Sequence, residues 1–201
     1  MTGFSGFILA SASPRRRALL HSLGAAFTAE CADTEELAGG GADPRRLPEL
    51  NALRKASAVA ARHPGALVLG ADTVIVFRGE VIGKPADETQ AAEFLRAFSG
   101  ETHEVVTGMA LVSPAAGIEE VWHETSQVTF RPLDEETIRR YLAAVPVLDK
   151  AGAYALQEHG EMIVEKFTGE RENIVGLPLV RLRKFLEDFS LLPLDKSAPR
   201  G

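Results

Sequence analysis

An aspartate interrupts the most apolar stretch of this 201-residue chain, residues 66–77. The stretch reads ALVLGADTVIVF, and Asp72 is its charged member. An ionised carboxylate in a buried strand is costly unless a cation or hydrogen-bond donor compensates it. Such a carboxylate can take a proton from water, hold a divalent cation, or do both. A strand-end aspartate in a turn is the structural alternative. We favour a functional role because Val74, Ile75 and Val76 continue the apolar run beyond it.

A second polar group, the run SASPRR, lies at a predicted strand-to-helix junction. Ser13 is a suitable N-cap for the helix that follows. The free N–H groups of a helix N-terminus, with the hydroxyls of Ser11 and Ser13, could bind phosphate oxygens. Arg15 and Arg16 add planar guanidinium groups suited to the same oxygens. A capped surface helix with solvated arginines would explain these residues equally well, so this run alone leaves both interpretations open.

Three further segments contain candidate ligand-binding residues. Lys84 follows a predicted hairpin and could return to the Asp72 end of the sheet, although the chain has neither the P-loop nor the Rossmann glycine spacing. The small residues of the segment 149–157 would let its backbone approach a ligand, and Gln157 offers the donor and acceptor that base recognition requires. A tight corner is the alternative there. Asn173 is more readily interpreted as a turn residue than as a ligand contact.

Composition excludes several function classes. The formal net charge of −6 argues against nucleic-acid and anionic-membrane binding, so any phosphate site must come from a local group of basic residues. A single cysteine, Cys31, excludes an intrachain disulfide and suits a reducing compartment. The N-terminus shows no secretory signal, and no apolar run is long enough to span a membrane. A cytoplasmic protein is therefore expected.

The order of predicted elements favours an α/β fold with a mixed twisted sheet. We expect one domain over residues 1–192, with a flexible tail at 193–201. The predicted strands are 7–10, 66–77, 104–112 and 121–130, a hairpin strand at 81–82, and two short strands flanking His159. The predicted helices begin at Ser13 or Pro14, near Asp43 after a glycine-rich loop, at Glu88, at Asp134 and near Pro178.

In order along the chain, these motifs resemble the Maf family of nucleotide pyrophosphatases. The similarity covers roughly residues 7–189. It includes Ser-x-Ser-Pro-Arg-Arg, Lys55-Ala56, Gly-Ala-Asp-Thr, Gly-Lys-Pro, Ser99-Gly100 with His103, Val106-Thr107, Asp-Lys-Ala-Gly and Gly-Leu-Pro. Each motif is weak alone, but the ordered set is specific.

The resemblance implies two lobes around a central cleft, and hydrolysis of a nucleoside triphosphate to the monophosphate and pyrophosphate with Mg²⁺ or Mn²⁺. It also implies a homodimer. Asp72 matches the proposed general base. Asp72 and Glu36 are the expected metal ligands, although which of the two holds metal and which acts as base is left open. Further polar site residues of the family are matched by Arg16, Lys55 and Lys84. Positions linked to substrate choice are matched by Arg15, Thr73 and Gln157.

The Ala-Tyr-Ala-Leu-Gln segment resembles the dTTP/UTP subgroup, whereas the 7-methyl-GTP subgroup usually has Ser-Phe and a Glu in this region. Two departures bear on the subgroup. Val145-Pro146-Val147 stands where Gly-Glu-Pro is common, and Arg171 stands where an aromatic residue is common. The alternatives are a broad-specificity or 7-methyl-GTP-type pyrophosphatase and a nucleotide-sensing regulator of septum formation without turnover.

Overall fold

The computed structural model describes residues 3–37 and 43–192, and it confirms an α/β fold with a mixed sheet. The seven strands are β1 (Phe7–Leu9), β2 (Thr28–Ala29), β3 (Leu67–Phe77), β4 (Glu80–Ile82), β5 (Thr102–Ser113), β6 (Ile118–Phe130) and β7 (Val164–Thr168). Their spatial order is β2-β1-β3-β5-β6-β7, and β4 also pairs with β3. β1 runs parallel to β2 and β3, whereas β3, β5, β6 and β7 pair antiparallel.

The helices cover this sheet and begin mostly where the sequence predicts. They are α1 (Pro14–Ser22), α2 (Arg46–Ala60), α3 (Glu88–Phe98), α4 (Glu135–Ala144), α5 (Arg171–Val175) and α6 (Val180–Asp188). The side chains of Ser13, Asp87 and Asp134 each accept a hydrogen bond from the N–H three residues later, which caps α1, α3 and α4. Within the described residues, no helix is long and apolar enough to cross a bilayer.

Three local predictions need correction. α2 begins at Arg46 without a side-chain cap, because Asp43 accepts the N–H of Arg45 in a turn before the helix. α6 begins at Val180, where the distant Glu170 carboxylate accepts the first free N–H groups. The region around His159 contains one strand, β7, rather than two. The short elements β2 and α5 were not predicted. Most of the glycine-rich loop and the whole predicted tail, 38–42 and 193–201, lie outside the described residues.

Within the part of the chain that the structure describes, one edge of β3 has no strand partner at its centre. β5 pairs with β3 continuously from Val68 to Val76. On the opposite edge, β1 pairs only as far as Leu69, and β4 pairs only from Ile75 onward. The gap at residues 70–74 contains Asp72, and the cavity described below opens at this point.

The apolar core is also divided at the level of Asp72 and Thr73 in β3. Leu67, Leu69 and Ala71 pack into one cluster with α1 and α6, whereas Ile75 and Phe77 pack into another with α3 and α4. Since alternate residues of a strand face opposite sides, Asp72 faces α2 and Thr73 faces the other side. This division agrees with the predicted two-lobed arrangement around a cleft.

Two glycines let α2 lie directly on the sheet. A Cβ at Gly70 would come within 2.1 Å of the Ala52 carbonyl oxygen, and one at Gly108 within 2.1 Å of the Pro48 carbonyl carbon. Gly108 is the register partner of Asp72 on β5. The absence of side chains here therefore brings the α2 backbone close to the strand that carries the buried aspartate.

We predict that Gly70→Ala lowers the free energy of unfolding by about 3 kcal/mol, because the added methyl meets backbone and not a flexible side chain. Urea unfolding followed by circular dichroism measures this change. Gly6→Ala is the matched control, since a Cβ at Gly6 meets nothing within 4 Å. Equal stability of the two variants would contradict the close approach of α2.

Candidate active site

A cavity of about 810 Å³ opens at the gap in β3. Every residue that the sequence singles out as a site residue lines it: Ser11, Ser13, Arg15, Arg16, Glu36, Lys55, Asp72, Thr73, Lys84 and Gln157. These residues come from the β1–α1 junction, α1, the loop before α2, α2, β3, the segment after β4, and the segment before β7. The fold thus brings the predicted set together in one place.

Asp72 is buried, with 6% of its surface exposed, and both of its carboxylate oxygens are paired. Lys55 Nζ donates to Asp72 Oδ1 at 2.7 Å, and Asn51 Nδ2 donates to Asp72 Oδ2 at 3.1 Å. Asn51 and Lys55 are four residues apart on α2, so they project from one helix face. The cost of burying the carboxylate is therefore offset by one cation and one amide from a single helix.

Glu36 lies beside Asp72 because both carboxylates share the same ammonium group. Lys55 Nζ is 2.8 Å from Glu36 Oε1, and Lys84 Nζ is 4.0 Å from Glu36 Oε2. Burial alone would raise the pKa of Glu36, but the hydrogen bond and charge of Lys55, with the charges of Lys84 and Arg16, lower it overall. Lys84 reaches this point because β4 reverses along β3, with Ile82 opposite Ile75.

Arg16 is held at three points and is not a solvated surface arginine. Its Nε donates to the Gly176 carbonyl at 2.9 Å, and its Nη2 donates to Thr73 Oγ1 at 3.0 Å. A longer contact of 3.5 Å joins Nη1 to Ser11 Oγ. Burial lowers the pKa of Arg16, and the neighbouring Asp72 carboxylate opposes that effect. A guanidinium has five N–H groups, so two remain for a ligand.

The hydrogen-bond directions at Thr73 follow from its neighbours. Thr107 donates its only hydroxyl hydrogen to the Asn173 carbonyl, so the hydrogen between the two threonine hydroxyls must come from Thr73. Thr73 then accepts from Arg16, and its hydroxyl has no hydrogen left for a ligand. Thr73 can thus act on a substrate by orienting Arg16. Asn173 has a structural role, as predicted, but it lies buried within α5 and not in a turn. It donates to the Val105 carbonyl and to Ser126.

Ser13 has the capping role that its position predicts, and its N–H donates to Ser11 Oγ at 3.2 Å. Arg15 Nη1 donates to Asp149 Oδ2 at 3.2 Å, across the mouth of the cavity. The other oxygen of Asp149 accepts from Lys150 Nζ, which is 5% exposed as a side chain. Arg15 and Lys150 are therefore linked through one carboxylate.

The segment that carries Gln157 is anchored from behind. Tyr154 Oη is 2.9 Å from His103 Nε2, and the Ala155 N–H donates to Tyr141 Oη at 3.0 Å. Burial lowers the pKa of His103 to about 4, so this imidazole is neutral near pH 7, and burial raises the pKa of Tyr154. Gln157 itself is exposed and donates to Glu158 Oε1 at 3.3 Å.

The small residues of this segment serve packing as well as ligand access. A Cβ at Gly152 would lie 2.2 Å from Ile75 Cδ1, and Gly152 has a φ of +66°. The expectation that these small residues serve a close ligand approach is therefore wrong for Gly152. Ala151 and Ala155 do line the cavity.

The cavity has the opposite charge balance from the whole chain. Five cationic and three acidic side chains line its described part, a net of +2, whereas the chain carries −6. The cations are Arg15, Arg16, Lys55, Lys84 and Lys150. Among the residues that the structure describes, no group of three or more His, Cys, Asp or Glu could hold a metal ion. A metal held here would therefore take one or two carboxylates and the remaining ligands from substrate and water.

Lys150 and Asn51 are polar residues of the site that were not predicted as such. Lys150 belongs to a motif that the sequence analysis noted, but its burial beside Asp149 was not foreseen. Asn51 was missed altogether. The sequence did contain a signal for Asn51. Asparagine is unfavourable in the interior of a helix, and this one lies four positions before Lys55, on the same helix face.

Comparison with known proteins agrees with this geometry. Residues 6–189 match the family described as Maf-like protein. The dTTP/UTP pyrophosphatase of Akkermansia muciniphila is 47% identical over 179 residues, which are 89% of this chain and 94% of the relative. The dTTP/UTP pyrophosphatases of Pelotomaculum thermopropionicum and Bacillus cytotoxicus are 46% and 42% identical, over 90% and 91% of this chain and 95% of each relative. This chain therefore belongs to the Maf family.

Proposed function

We propose that this protein hydrolyses dTTP and UTP to the monophosphate and pyrophosphate, with Asp72 activating the attacking water. The observation that carries the proposal is the buried Asp72 carboxylate within a cavity of net charge +2. The relatives described above are named for this activity. Family membership and site chemistry therefore support the same reaction.

The cationic side chains suit the triphosphate. Lys84 has a side chain that is 57% exposed and can swing toward a ligand, whereas Arg16 is held with two N–H groups free. The N-terminus of α1, capped by Ser13 and flanked by Ser11, supplies further donors. These groups offset the charge of bound phosphates and the charge that develops on the pyrophosphate leaving group.

Asp72 suits the role of general base because its orientation is set while lone pairs remain free. A carboxylate has about four lone-pair sites, and Lys55 and Asn51 occupy two. A water molecule within reach of a free lone pair could pass a proton to Asp72 while attacking the α-phosphorus.

Asp72 and Glu36 would also suit a divalent cation. Their carboxylates converge on one ammonium, and Mg²⁺ is usually bound through one or two carboxylates together with substrate phosphates and water. When bound, Mg²⁺ or Mn²⁺ would neutralise phosphate charge and polarise the phosphoryl group. Lys55 would then have to share the Asp72 and Glu36 carboxylates with that ion. Substrate phosphates could become new partners of the Lys55 ammonium.

Selectivity for thymine and uracil is assigned to the Gln157 end of the cavity, together with Arg15 and Thr73. The Gln157 amide can pair with the O4 and N3–H edge that these two bases share, whereas adenine presents a different arrangement. A 7-methyl-GTP-type or broad-specificity enzyme is the competing proposal. A septum-formation sensor would bind without turnover, and the paired Asp72 carboxylate gives such a protein no evident advantage. A cytoplasmic homodimer is proposed from the family resemblance and the single cysteine.

The decisive experiment measures pyrophosphate release from dTTP, UTP, ATP and 7-methyl-GTP with Mg²⁺ or Mn²⁺, and again with excess chelator. We expect the two pyrimidine nucleotides to be cleaved most efficiently and the chelator to abolish turnover.

Asp72→Asn keeps the shape but removes the base, so turnover should fall about 100-fold or more. The exposed Asp188→Asn is the control. Full turnover by folded Asp72→Asn protein would remove Asp72 from the mechanism.

Lys84→Ala should weaken hydrolysis of every triphosphate by a similar factor, because phosphates are common to all of them. The measurement is kcat/KM for UTP and for ATP in wild type and variant. Lys166→Ala, which removes an exposed lysine of β7 outside the cavity, should leave both values unchanged. A change in the UTP-to-ATP ratio without a common loss would place Lys84 near the base instead.

Gln157→Glu should reduce the preference for UTP over ATP more than it slows total hydrolysis. The carboxylate cannot donate to O4, and an unpaired polar edge costs roughly 1–3 kcal/mol. The measurement is the ratio of kcat/KM values for UTP and ATP. Gln127→Glu makes the same change at an exposed position of β6 and should not alter the ratio. An unchanged ratio in Gln157→Glu would exclude Gln157 from base recognition.

A further inference from the structure

We propose that Asn51 is a positioning residue that orients the Asp72 carboxylate and holds the Glu36 loop against it. This inference rests on the proposed role of Asp72 as the base. It concerns a side chain that is 3% exposed and lies in the interior of α2. A buried asparagine in a helix interior requires hydrogen-bond partners outside the helix.

Every hydrogen that Asn51 can donate is used. Its Nδ2 donates to Asp72 Oδ2 at 3.1 Å and to the Leu37 carbonyl at 3.4 Å, and its Oδ1 accepts the Leu37 N–H at 2.8 Å. The Leu37 N–H requires an acceptor at the Oδ1 position, so the orientation of the amide is determined by its partners. With the amide in this orientation, an N–H must point at Asp72.

The loop before α2 has little else to hold it. No backbone–backbone hydrogen bond joins residues 31–37 to another part of the chain that the structure describes. The Leu37 side chain is 36% exposed, and the apolar contact of this loop is made five residues earlier, where Ala32 packs against the cluster beneath α2. The polar contacts that tie the end of this loop to α2 are the Asn51 amide at Leu37 and the Lys55 ammonium at Glu36. Asn51 and Lys55 together therefore hold the Glu36 carboxylate beside Asp72.

The two residues of α2 have different tasks at Asp72. Lys55 supplies charge to Oδ1, whereas Asn51 supplies a neutral donor to Oδ2 and prevents rotation of the carboxylate about its Cβ–Cγ bond. A base must present its lone pair to water within a narrow range of distance and angle. Loss of Asn51 should therefore slow the chemical step, with little effect on the binding of phosphates and base.

Two substitutions separate the link to Asp72 from the link to the loop. Asn51→Leu removes both links at similar volume. Asn51→Asp retains shape and the acceptor for the Leu37 N–H, which is the shorter of the two bonds to the loop, and loses the longer bond to the Leu37 carbonyl. It also places a second acceptor where Asp72 needs a donor. We expect both variants to lower kcat for UTP by between about 10- and 100-fold, with KM changed less than about threefold. Near-wild-type kcat in Asn51→Asp would overturn the link to Asp72.

Val59→Ala is the control for lost helix packing. Val59 is fully buried on α2 and lies outside the cavity, so this variant should lower Tm while leaving kcat and KM per folded molecule unchanged. A raised KM with unchanged kcat in the Asn51 variants would overturn the proposal and assign Asn51 to substrate binding. If neither Asn51→Leu nor Asn51→Asp folds, Asn51→Ser, which leaves room for a water, is measured in the same way.

Asp72→Asn, alone and combined with Asn51→Leu, separates this inference from the proposed function. If Asn51 acts through Asp72, Asn51→Leu should cause little further loss of kcat in the Asp72→Asn background. Equal fold-losses in the two backgrounds would overturn the positioning role while leaving Asp72 as the base. Wild-type turnover by Asp72→Asn alone would instead overturn the proposed function.

Discussion

The buried carboxylate of Asp72 is the constraint on which the rest of the site depends. An ionised group in the middle of a sheet must be paired, and its partners must come from whatever packs on that face. Here the partners are Lys55 and Asn51, one helical turn apart on α2. The helix can supply them only because Gly70 and Gly108 allow its backbone to approach the strands closely.

The gap in the edge of β3 turns this buried pair into an accessible site. β1 stops short of Asp72, and β4 resumes pairing beyond it, so the cavity forms at the level of the polar residues. The reversal of the chain between β3 and β4 brings Lys84 back toward Glu36. A single topological feature therefore explains both the opening and the return of a cation to it.

Local charge explains how an acidic protein could bind a triphosphate. Several cations of the cavity are paired with carboxylates and carbonyls, as Arg15 is with Asp149 and Arg16 with Gly176. Such pairing reduces the cost of clustering like charges. Phosphate oxygens could then replace or add to these partners without large rearrangement, which keeps the stabilising groups preorganised for the reaction.

The sequence by itself determined the main strands, the N-cap at Ser13, the start of a helix at Asp134, the unusual burial of Asp72 and the types of residue that surround it. These follow from periodicity and capping within a few positions. Only the tertiary structure decided that Glu36 and Asp72 share Lys55, that Thr73 has no hydroxyl hydrogen for a ligand, and that Gly152 serves core packing. It also decided the role of Asn51 and the distant cap that Glu170 provides to α6. The physical reason is that each of these features depends on contacts between residues far apart in the chain, and local patterns do not encode which distant partner will be within hydrogen-bond distance.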